Sequence, residues 1–219
     1  KKICRIAYKE GHSEKYHFCH FKLPKQKETT PKALSRENFE KLRDLEIPEK
    51  RRSHVITRDL FLFACYTGTA YADAVSITRE NLFQDDEGSL WLKYRRKKTD
   101  YLGRVKLLPE ALALIGKYRD DTRITLFPPQ DYHTLRANMK SLRLMAGLSQ
   151  DLVYHMARHS FGTLTLTAGI PIESIARMMG HTNIDSTQVY AQVTDRKISS
   201  DMDRLMERRK PAAGKEAAG

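Results

Sequence analysis

This chain of 219 residues carries 39 Lys and Arg against 27 Asp and Glu, a formal net charge of +12 at pH 7. An excess of this size favours a polyanionic partner, and nucleic acid is the usual one. Hydrophobic residues make up 40% of the chain, and no apolar run approaches the ~20 residues of a membrane span. Composition therefore indicates a globular protein with one substantial core and excludes a membrane partner.

Cysteine and histidine usage predicts neither disulfides nor a metal site. The cysteines are odd in number, widely spaced and without a CxxC pair, which favours a reducing compartment. A cluster near the N-terminus fits no closed four-ligand zinc pattern: His12, His17, Cys19 and His20. We therefore predict no metal and no other cofactor.

The first part of the chain predicts a domain boundary and a buried helix. Residues 24–34 are polar and contain prolines, which predicts a linker after residues 1–23. Ser35 is a suitable N-cap for the helix that opens the main domain, residues 35–197. The apolar run 55–66 predicts a second, buried helix, which ends at Gly68 as its C-terminal cap.

A hairpin and a series of helices follow. Residues 89–99 are aromatic and basic with some alternation, which predicts a strand, and residues 104–108 predict a second strand after a turn. Helical patterns then recur from Pro109 onward, and a short final helix is expected to carry Tyr190. We predict a mainly α fold with a small antiparallel β-sheet.

The residues near the end of the chain have the chemistry to act on a phosphate. His155 and Arg158 are three positions apart and share a face of a predicted helix. An arginine fork grips phosphate oxygens with paired hydrogen bonds, and histidine donates or accepts a proton. An HxxR pattern alone more often marks the solvent side of a helix.

Three more residues can be interpreted either as catalytic groups or as ordinary structural residues. Gly180 lets the chain turn so that a loop presents His181, although histidine is also a common helix cap. Tyr190 could be a nucleophile beside cations, but most of the ten tyrosines must be packing residues. Lys98 lies near the predicted hairpin tip, in a basic run that is equally typical of a solvated surface.

Together these residues resemble the catalytic box of the tyrosine recombinases, the phage-integrase family. The phrase Met179-Gly-His-Thr-Asn-Ile is most similar to integrases of conjugative transposons. The resemblance implies the tyrosine recombinase catalytic-domain fold. It also implies a site-specific recombinase that cuts and rejoins DNA through a 3′-phosphotyrosyl bond, for integration and excision of a mobile element, without metal or ATP.

The resemblance assigns a role to each catalytic residue. Tyr190 follows His181 by nine positions, the place of the family's nucleophile. Lys98, followed by Thr99, corresponds to the general acid of the hairpin. Arg158 and His181 would stabilise the phosphate, and His155 would accept the tyrosine proton or orient the phosphate.

The chain departs from the family pattern at one position. Family members carry an arginine two residues after the glycine of a Thr-Gly pair, and an acidic residue three positions further on. Here the arginine position is Ala70 and the acidic residue is Asp73. Residues two apart on a strand point to the same side, so Arg96 would lie beside Lys98. We predict that Arg96 replaces the missing arginine; the alternative is an inactive protein.

The resemblance also implies partners and a location. Double-stranded DNA would be bound by a homotetramer on paired sites, in the bacterial cytoplasm at the nucleoid, although this chain alone would be a monomer. Residues 1–23 would be the end of a core-binding domain, and residues 198–219 a C-terminal docking helix and a disordered tail. Charge patterns suggest further DNA-binding residues: Lys93, Arg95, Lys97, Thr99, Arg136, Lys140 and Arg143.

Two other functions remain open. A type IB topoisomerase-like enzyme shares the chemistry but relaxes one duplex, and strand exchange between two duplexes would exclude it. A DNA-binding protein that has lost catalysis with the arginine at position 70 would form no covalent adduct. An RNA-binding protein is disfavoured because no aromatic RNP-type motif is visible.

Overall fold

A computed structural model describes residues 2–16, 18–20 and 32–190, with Ser199, Met202, Asp203, Leu205 and Met206. The chain divides into two compact units, Lys1–Thr30 and Pro31–Gly219. The first contains helix α1 (Lys2–Lys9), which buries none of its residues. Of the predicted linker 24–34, only residues 32–34 are described.

The second unit is mainly helical. Its helices are α2 (Arg36–Arg43), α3 (Arg52–Thr67), α4 (Tyr71–Ala74), α5 (Pro109–Lys117), α6 (Tyr132–Met145), α7 (His155–Thr167), α8 (Ile172–Met178) and α9 (Asp185–Gln188). Its strands are β1 (Leu82–Gln84), β2 (Leu90–Arg95) and β3 (Leu102–Lys106), in one antiparallel sheet of order β1-β2-β3. The predicted mainly α fold with a small antiparallel sheet is confirmed.

Local sequence chemistry accounts for several helix ends. The Ser35 side chain accepts a hydrogen bond from the Asn38 N–H at the start of α2. Gly68 ends α3 in the left-handed conformation with φ +71°, and its N–H donates to the Ala64 carbonyl. Pro109 is the first residue of α5, where its missing N–H costs no helical hydrogen bond.

The sheet differs from the predicted two-stranded hairpin. β1 is an additional strand, within a stretch whose polar character concealed it, and Leu82 pairs with Leu92 of β2. β2 ends at Arg95 rather than at residue 99, and β3 begins at Leu102 rather than at residue 104. The reason is a tight turn, in which the Arg96 N–H donates to Tyr101 O at 2.9 Å and the Asp100 N–H donates to Arg96 O at 2.7 Å.

Helix α3 lies at the centre of the core and contacts α5, α6 and α7. Phe61 and Phe63 on α3 are fully buried, and the Phe63 ring lies 5.0 Å from that of Phe127. Met156 and Ala157 on α7 are also buried, so the residues that follow them are held against the end of α3. This packing fixes α7, the helix that carries most of the candidate site.

The C-terminal segment is described only in part. Five residues of the predicted docking helix are described, all in helical conformation, and Met202, Leu205 and Met206 are exposed. The other residues of 198–219 lie outside the described part of the chain. Within the described residues, no helix has both the length and the apolar character needed to cross a bilayer.

Candidate active site

Arg158 joins the ends of two helices from inside the protein. Its side chain is buried at 2% exposure; Nη1 donates to the Gly68 carbonyl, and Nη2 donates to the Met179 carbonyl at 2.7 Å. Those carbonyls follow α3 and α8, where helix dipoles favour a cation. Burial lowers the pKa of this guanidinium, with a smaller contribution of the same sign from Arg96. These two bonds use only some of the five N–H donors of a guanidinium.

Arg96 lies against the same carbonyl as Arg158. Its Nη1 donates to Met179 O at 3.2 Å, and its Nε lies 2.8 Å from Asp73 Oδ2. Asp73 is buried, and its other oxygen accepts the Lys97 N–H at 2.9 Å. The carboxylate of Asp73 therefore holds both the side chain and the backbone at the hairpin turn, and offsets the repulsion between the two guanidinium groups.

The prediction that Arg96 and Lys98 lie on the same face of a strand is wrong. Arg96 follows β2, and Lys98 lies in the turn, so the two residues do not share a strand face. Arg96 instead points inward through its ion pair with Asp73, and its side chain is 10% exposed. Ala70 is the N-cap of α4, the same short helix that carries Asp73. The Arg96 guanidinium is thus held against the helix that follows the position where family members carry an arginine.

Gly180 allows this close approach. It has φ +61°, and a Cβ built on it would lie 2.9 Å from Arg96 Cγ and 3.2 Å from the Gly103 backbone nitrogen. Any other residue would be strained there and would displace the hairpin. His181 comes next, and its Nδ1 lies 2.7 Å from the buried Thr187 hydroxyl. Burial, with help from Arg158, Arg96 and His155, lowers the pKa of His181 to about 4, so the ring is neutral at pH 7.

His155 is the first residue of α7 and is exposed. Its pKa is lowered, first by desolvation against the packed helix and then by the charges of Arg158, Arg96 and Lys98. Lys98 is itself exposed in the hairpin turn. His155 thus lies within the electrostatic influence of Arg158, Arg96 and Lys98. That these four residues form a phosphate site stays a prediction.

Tyr190 lies in a turn just beyond α9, rather than on that helix as predicted, and is 9% exposed. Its hydroxyl is 3.1 Å from His159 Nδ1. Burial raises the pKa of the Tyr190 hydroxyl, and the charges of Arg158 and Arg96 oppose that rise. The structure therefore pairs Tyr190 with a histidine that was not among the predicted site residues, and the charges of both arginines act on its hydroxyl.

Sequence reasoning missed both His159 and Tyr94. His159 lies next to Arg158 and four residues after His155, so a helical pattern could have grouped it with the site. Tyr94 is buried on β2, and its hydroxyl, beside the Arg158 guanidinium, contributes to that group's pKa. Gly103 makes room for the tyrosine, because a Cβ there would lie 2.6 Å from its ring. No local signal in the sequence indicates Tyr94.

The predicted DNA-binding residues of the hairpin lie on its outer side. Lys93 and Arg95 are exposed on β2, opposite the buried face of Leu92 and Tyr94, and Lys97 and Thr99 are exposed in the turn. Arg95 also donates to the Asp100 carbonyl at 3.0 Å. Two exposed residues of β3 that the sequence analysis did not select, Arg104 and Lys106, extend this basic face.

Of the three DNA-binding residues predicted on α6, two are exposed and the third forms bonds within the protein. Arg136 and Lys140 are exposed and, with His133, line a surface cavity of about 240 Å³. Arg143 instead pairs with Asp151 at 2.6 Å and donates to the Leu148 and Ser149 carbonyls. It holds the loop after α6 and is not brought together with the other two.

No cluster of three or more His, Cys, Asp or Glu side chains in the described ranges is arranged to hold a metal ion. His17, which belongs to the N-terminal His and Cys cluster, lies outside those ranges.

Known proteins with a similar fold include recombinases bound to DNA. A lambda integrase fragment, solved as a dimer bound to a COC′ core site, aligns with a TM-score of 0.63 at 19% identity, covering 83% of this chain and 68% of that one. The Tn1549 transposon integrase, solved with transposon right end DNA, aligns at 0.61 with 16% identity over 87% of this chain and 71% of its own. At these identities the likeness establishes the fold, including the expected similarity to a transposon integrase.

Sequence comparison extends the likeness to curated proteins. The tyrosine recombinase XerC of Bradyrhizobium diazoefficiens is 23% identical over 223 residues, which cover 93% of this chain and 65% of that protein. This chain spans about a third to two thirds of the length of the first curated relatives it matches. Residues 32–197 match the phage integrase family. This match covers most of the chain, which therefore belongs to that family.

Proposed function

We propose that this chain is the catalytic domain of a site-specific DNA recombinase that integrates and excises a mobile element. The observation that best supports the proposal is the convergence of Arg158 and Arg96 on the Met179 carbonyl, near enough to Tyr190 for both charges to act on its hydroxyl. A phosphodiester bound by the two arginines would lie beside a tyrosine nucleophile.

Each residue has a role in the proposed cleavage step. Tyr190 Oη attacks phosphorus, and Lys98 protonates the departing 5′-oxygen. Arg158 and Arg96 stabilise the negative charge of the transition state. If Nδ1 of the neutral His181 ring accepts a hydrogen bond from the Thr187 hydroxyl, the ring carries its proton on Nε2 and can donate a hydrogen bond to a phosphate oxygen. His155, at the exposed edge of the site, orients the phosphate.

The energy balance of this reaction requires no external source. The phosphodiester that is broken is replaced by a phosphotyrosine ester, and a 5′-hydroxyl from a partner duplex reverses the step. We therefore expect strand transfer without ATP. We also assign the chemistry to the side chains above, with no metal ion.

The partners follow from the proposed reaction. Strand exchange needs two duplexes and four cleavages, so the complete protein would act as a homotetramer on paired DNA sites. This chain alone would be a monomer in solution. Its substrate would place it with the bacterial chromosome in the cytoplasm. The DNA-bound states of the lambda and Tn1549 integrases support double-stranded DNA as the partner.

The test is covalent trapping on a DNA that cannot be religated. The protein would be incubated with a pool of element-end duplexes, each nicked beside the candidate site, and analysed on a denaturing gel. We expect a slowly migrating adduct that is absent with Tyr190→Phe, whose DNA binding stays nearly unchanged. An adduct that persists in Tyr190→Phe would refute the assignment of the nucleophile.

The same experiment separates the rival functions. DNA binding without any adduct would indicate a binding protein that lost catalysis along with the arginine at position 70. An adduct followed by relaxation of one supercoiled duplex, without exchange between two duplexes, would indicate a topoisomerase-like enzyme.

A further inference from the structure

The structure offers a proton acceptor for Tyr190 other than the expected one. His159 Nδ1 lies 3.1 Å from the Tyr190 hydroxyl, and the two ring centroids are 5.6 Å apart. His155, for which the family resemblance implied this role or that of orienting the phosphate, packs edge-on against His159, with centroids 4.4 Å apart and planes at 81°. His155 therefore orients the imidazole that faces the nucleophile.

We propose that His159 is the general base that accepts the Tyr190 proton during DNA cleavage, a role that rests on the function proposed above. As the bond between Tyr190 Oη and phosphorus forms, the hydroxyl proton moves to His159 Nδ1. The bond between phosphorus and the 5′-oxygen breaks, and that oxygen takes a proton from Lys98. Charge and protons then balance without an additional reactant.

The site keeps the His159 ring neutral before DNA arrives. Burial, followed by the charges of His155 and Arg158, lowers the pKa of His159 to about 4. Among the described residues, the titratable and charged groups that act on it are those two residues on α7 and Tyr190 beyond α9. At pH 7 the tautomer with its proton on Nε2 leaves the Nδ1 lone pair facing the hydroxyl.

Binding of the substrate would make His159 a stronger base. Arg158, which stabilises the phosphate in the proposed step, also disfavours a positive charge on the imidazole. A bound phosphodiester anion offsets the charge of Arg158, so the basicity of His159 rises when a phosphate is present. Proton transfer is thereby favoured in the DNA complex rather than in the free protein.

Tyr190 packs against α7, where Gly162 as well as His159 sets its position. Gly162 follows His159 by three positions, so both lie on one face of the helix. A Cβ built on Gly162 would lie 2.7 Å from Tyr190 ring atoms. The ring therefore rests on the glycine, and its hydroxyl reaches the imidazole, so two separate contacts define one pose.

The experiment must separate proton acceptance from simple holding of the hydroxyl. His159→Asn can place an amide oxygen near the Nδ1 position, where it accepts a hydrogen bond but cannot take up a proton. His159→Ala removes both functions. Adduct formation would be measured in single turnover with saturating suicide DNA, alongside DNA affinity and melting temperature. Thr163→Ala, on an exposed position of the same helix, is the matched control.

We expect both His159 variants to form adduct about 100-fold or more slowly, the contribution typical of a general base. DNA affinity and folding should stay close to wild type, and the Thr163→Ala rate unchanged. The wild-type rate should level off once the pH exceeds the pKa of His159 in the DNA complex. The His159→Asn rate should instead keep rising about tenfold per pH unit, because solvent must then take the proton.

Two negative results have different meanings. If the wild-type protein forms no adduct, the proposed function fails, and the inference fails with it. If the wild-type protein forms a Tyr190-dependent adduct and His159→Asn matches its rate and pH profile, the function stands, but His159 only holds the hydroxyl and the inference is overturned.

Discussion

At the scale of single residues, Asp73 explains how an arginine at position 96 can be stable beside Arg158. Two guanidinium groups that share one carbonyl repel each other, and the buried carboxylate 2.8 Å from Arg96 Nε compensates for that repulsion. Asp73 also accepts the Lys97 N–H, so the hairpin backbone and the Arg96 side chain are positioned by one residue. Asp73, the acidic residue of the family pattern, thus still pairs with an arginine, although that arginine comes from the hairpin.

We predict that Arg96→Ala slows adduct formation by about 100-fold or more at saturating DNA, the loss typical of removing one donor to a transition-state oxyanion. Arg95→Ala removes an outward-facing charge from the adjacent residue. It should therefore weaken DNA affinity and leave the rate at saturation close to wild type. Single-turnover trapping over a range of protein concentrations measures both quantities.

A second substitution tests the replacement directly. Ala70→Arg, introduced into Arg96→Ala, returns a cation to the N-terminus of the helix that carries Asp73. The rate of adduct formation should rise at least about tenfold above that of Arg96→Ala, which is less than the full contribution of one such donor. Equal and mild losses in Arg96→Ala and Arg95→Ala would show instead that Arg96 has no special role.

Residue patterns predicted some of this site and could not predict the rest. His155 and Arg158 are three residues apart on a helix, so their proximity follows from local spacing. Gly180 likewise indicates the turn that precedes His181. The contact of His159 with Tyr190 joins residues 31 positions apart and depends on how the segment after α9 packs on α7. Sequence spacing carries no information about such a contact.

At the scale of secondary structure elements, α7 is the part of the fold on which the site is built. Its buried side packs on α3 and holds Arg158 between the carbonyl ends of two helices. His155 and His159 are one turn apart, and Gly162 follows on the side that receives Tyr190. A rigid helix can position these groups more accurately than a loop.

We predict that Gly162→Ala uncouples stability from activity. A methyl group there would collide with the Tyr190 ring, because the built Cβ lies 2.7 Å from ring atoms. The tyrosine should be displaced by about 1 Å or more, and adduct formation should fall about 100-fold. The melting temperature should stay the same or rise, since alanine favours a helix over glycine by about 0.5–1 kcal/mol.

Gly116→Ala is the matched control for that variant. It lies in α5, and a Cβ there would meet no atom within 4 Å. It should gain the helical stabilisation and keep the full rate of adduct formation. A wild-type rate in Gly162→Ala would mean that the pose of Tyr190 on α7 is not the reactive one.

The predicted elements were most reliable where local chemistry defines them. The cap at Ser35, the left-handed glycine at position 68 and the proline at the start of α5 depend only on neighbouring residues. β1 was missed because three residues in a polar stretch form a strand only through pairing with β2. The early end of β2 also depends on a turn in which Asp100 adopts φ +54°, a conformation that the sequence signals weakly.

At the scale of the whole molecule, part of the positive charge is concentrated on one face of the hairpin. The outer face of the hairpin carries exposed basic residues on both strands: Lys93, Arg95, Arg104 and Lys106. Lys93 lies opposite Arg104 in the register. The Arg104 guanidinium is 4.7 Å from the Trp91 ring centroid and 5.0 Å from that of Phe83, so the rings hold it in place. A preordered cation of this kind suits contact with a phosphate backbone.

We predict that this face contributes to DNA affinity through counterion release. Lys93→Ala and Arg104→Ala should each weaken binding similarly for all sequences, and each should reduce the slope of log K against log salt by about one. Arg119→Ala removes an exposed arginine two residues beyond α5, 3.8 Å from Asp121, and should leave the slope unchanged. Titration of a labelled duplex at about four salt concentrations between 50 and 200 mM measures the slopes. If all three variants lower the slope equally, DNA responds to the net charge of +12 as a whole, and the hairpin is not a specific contact surface.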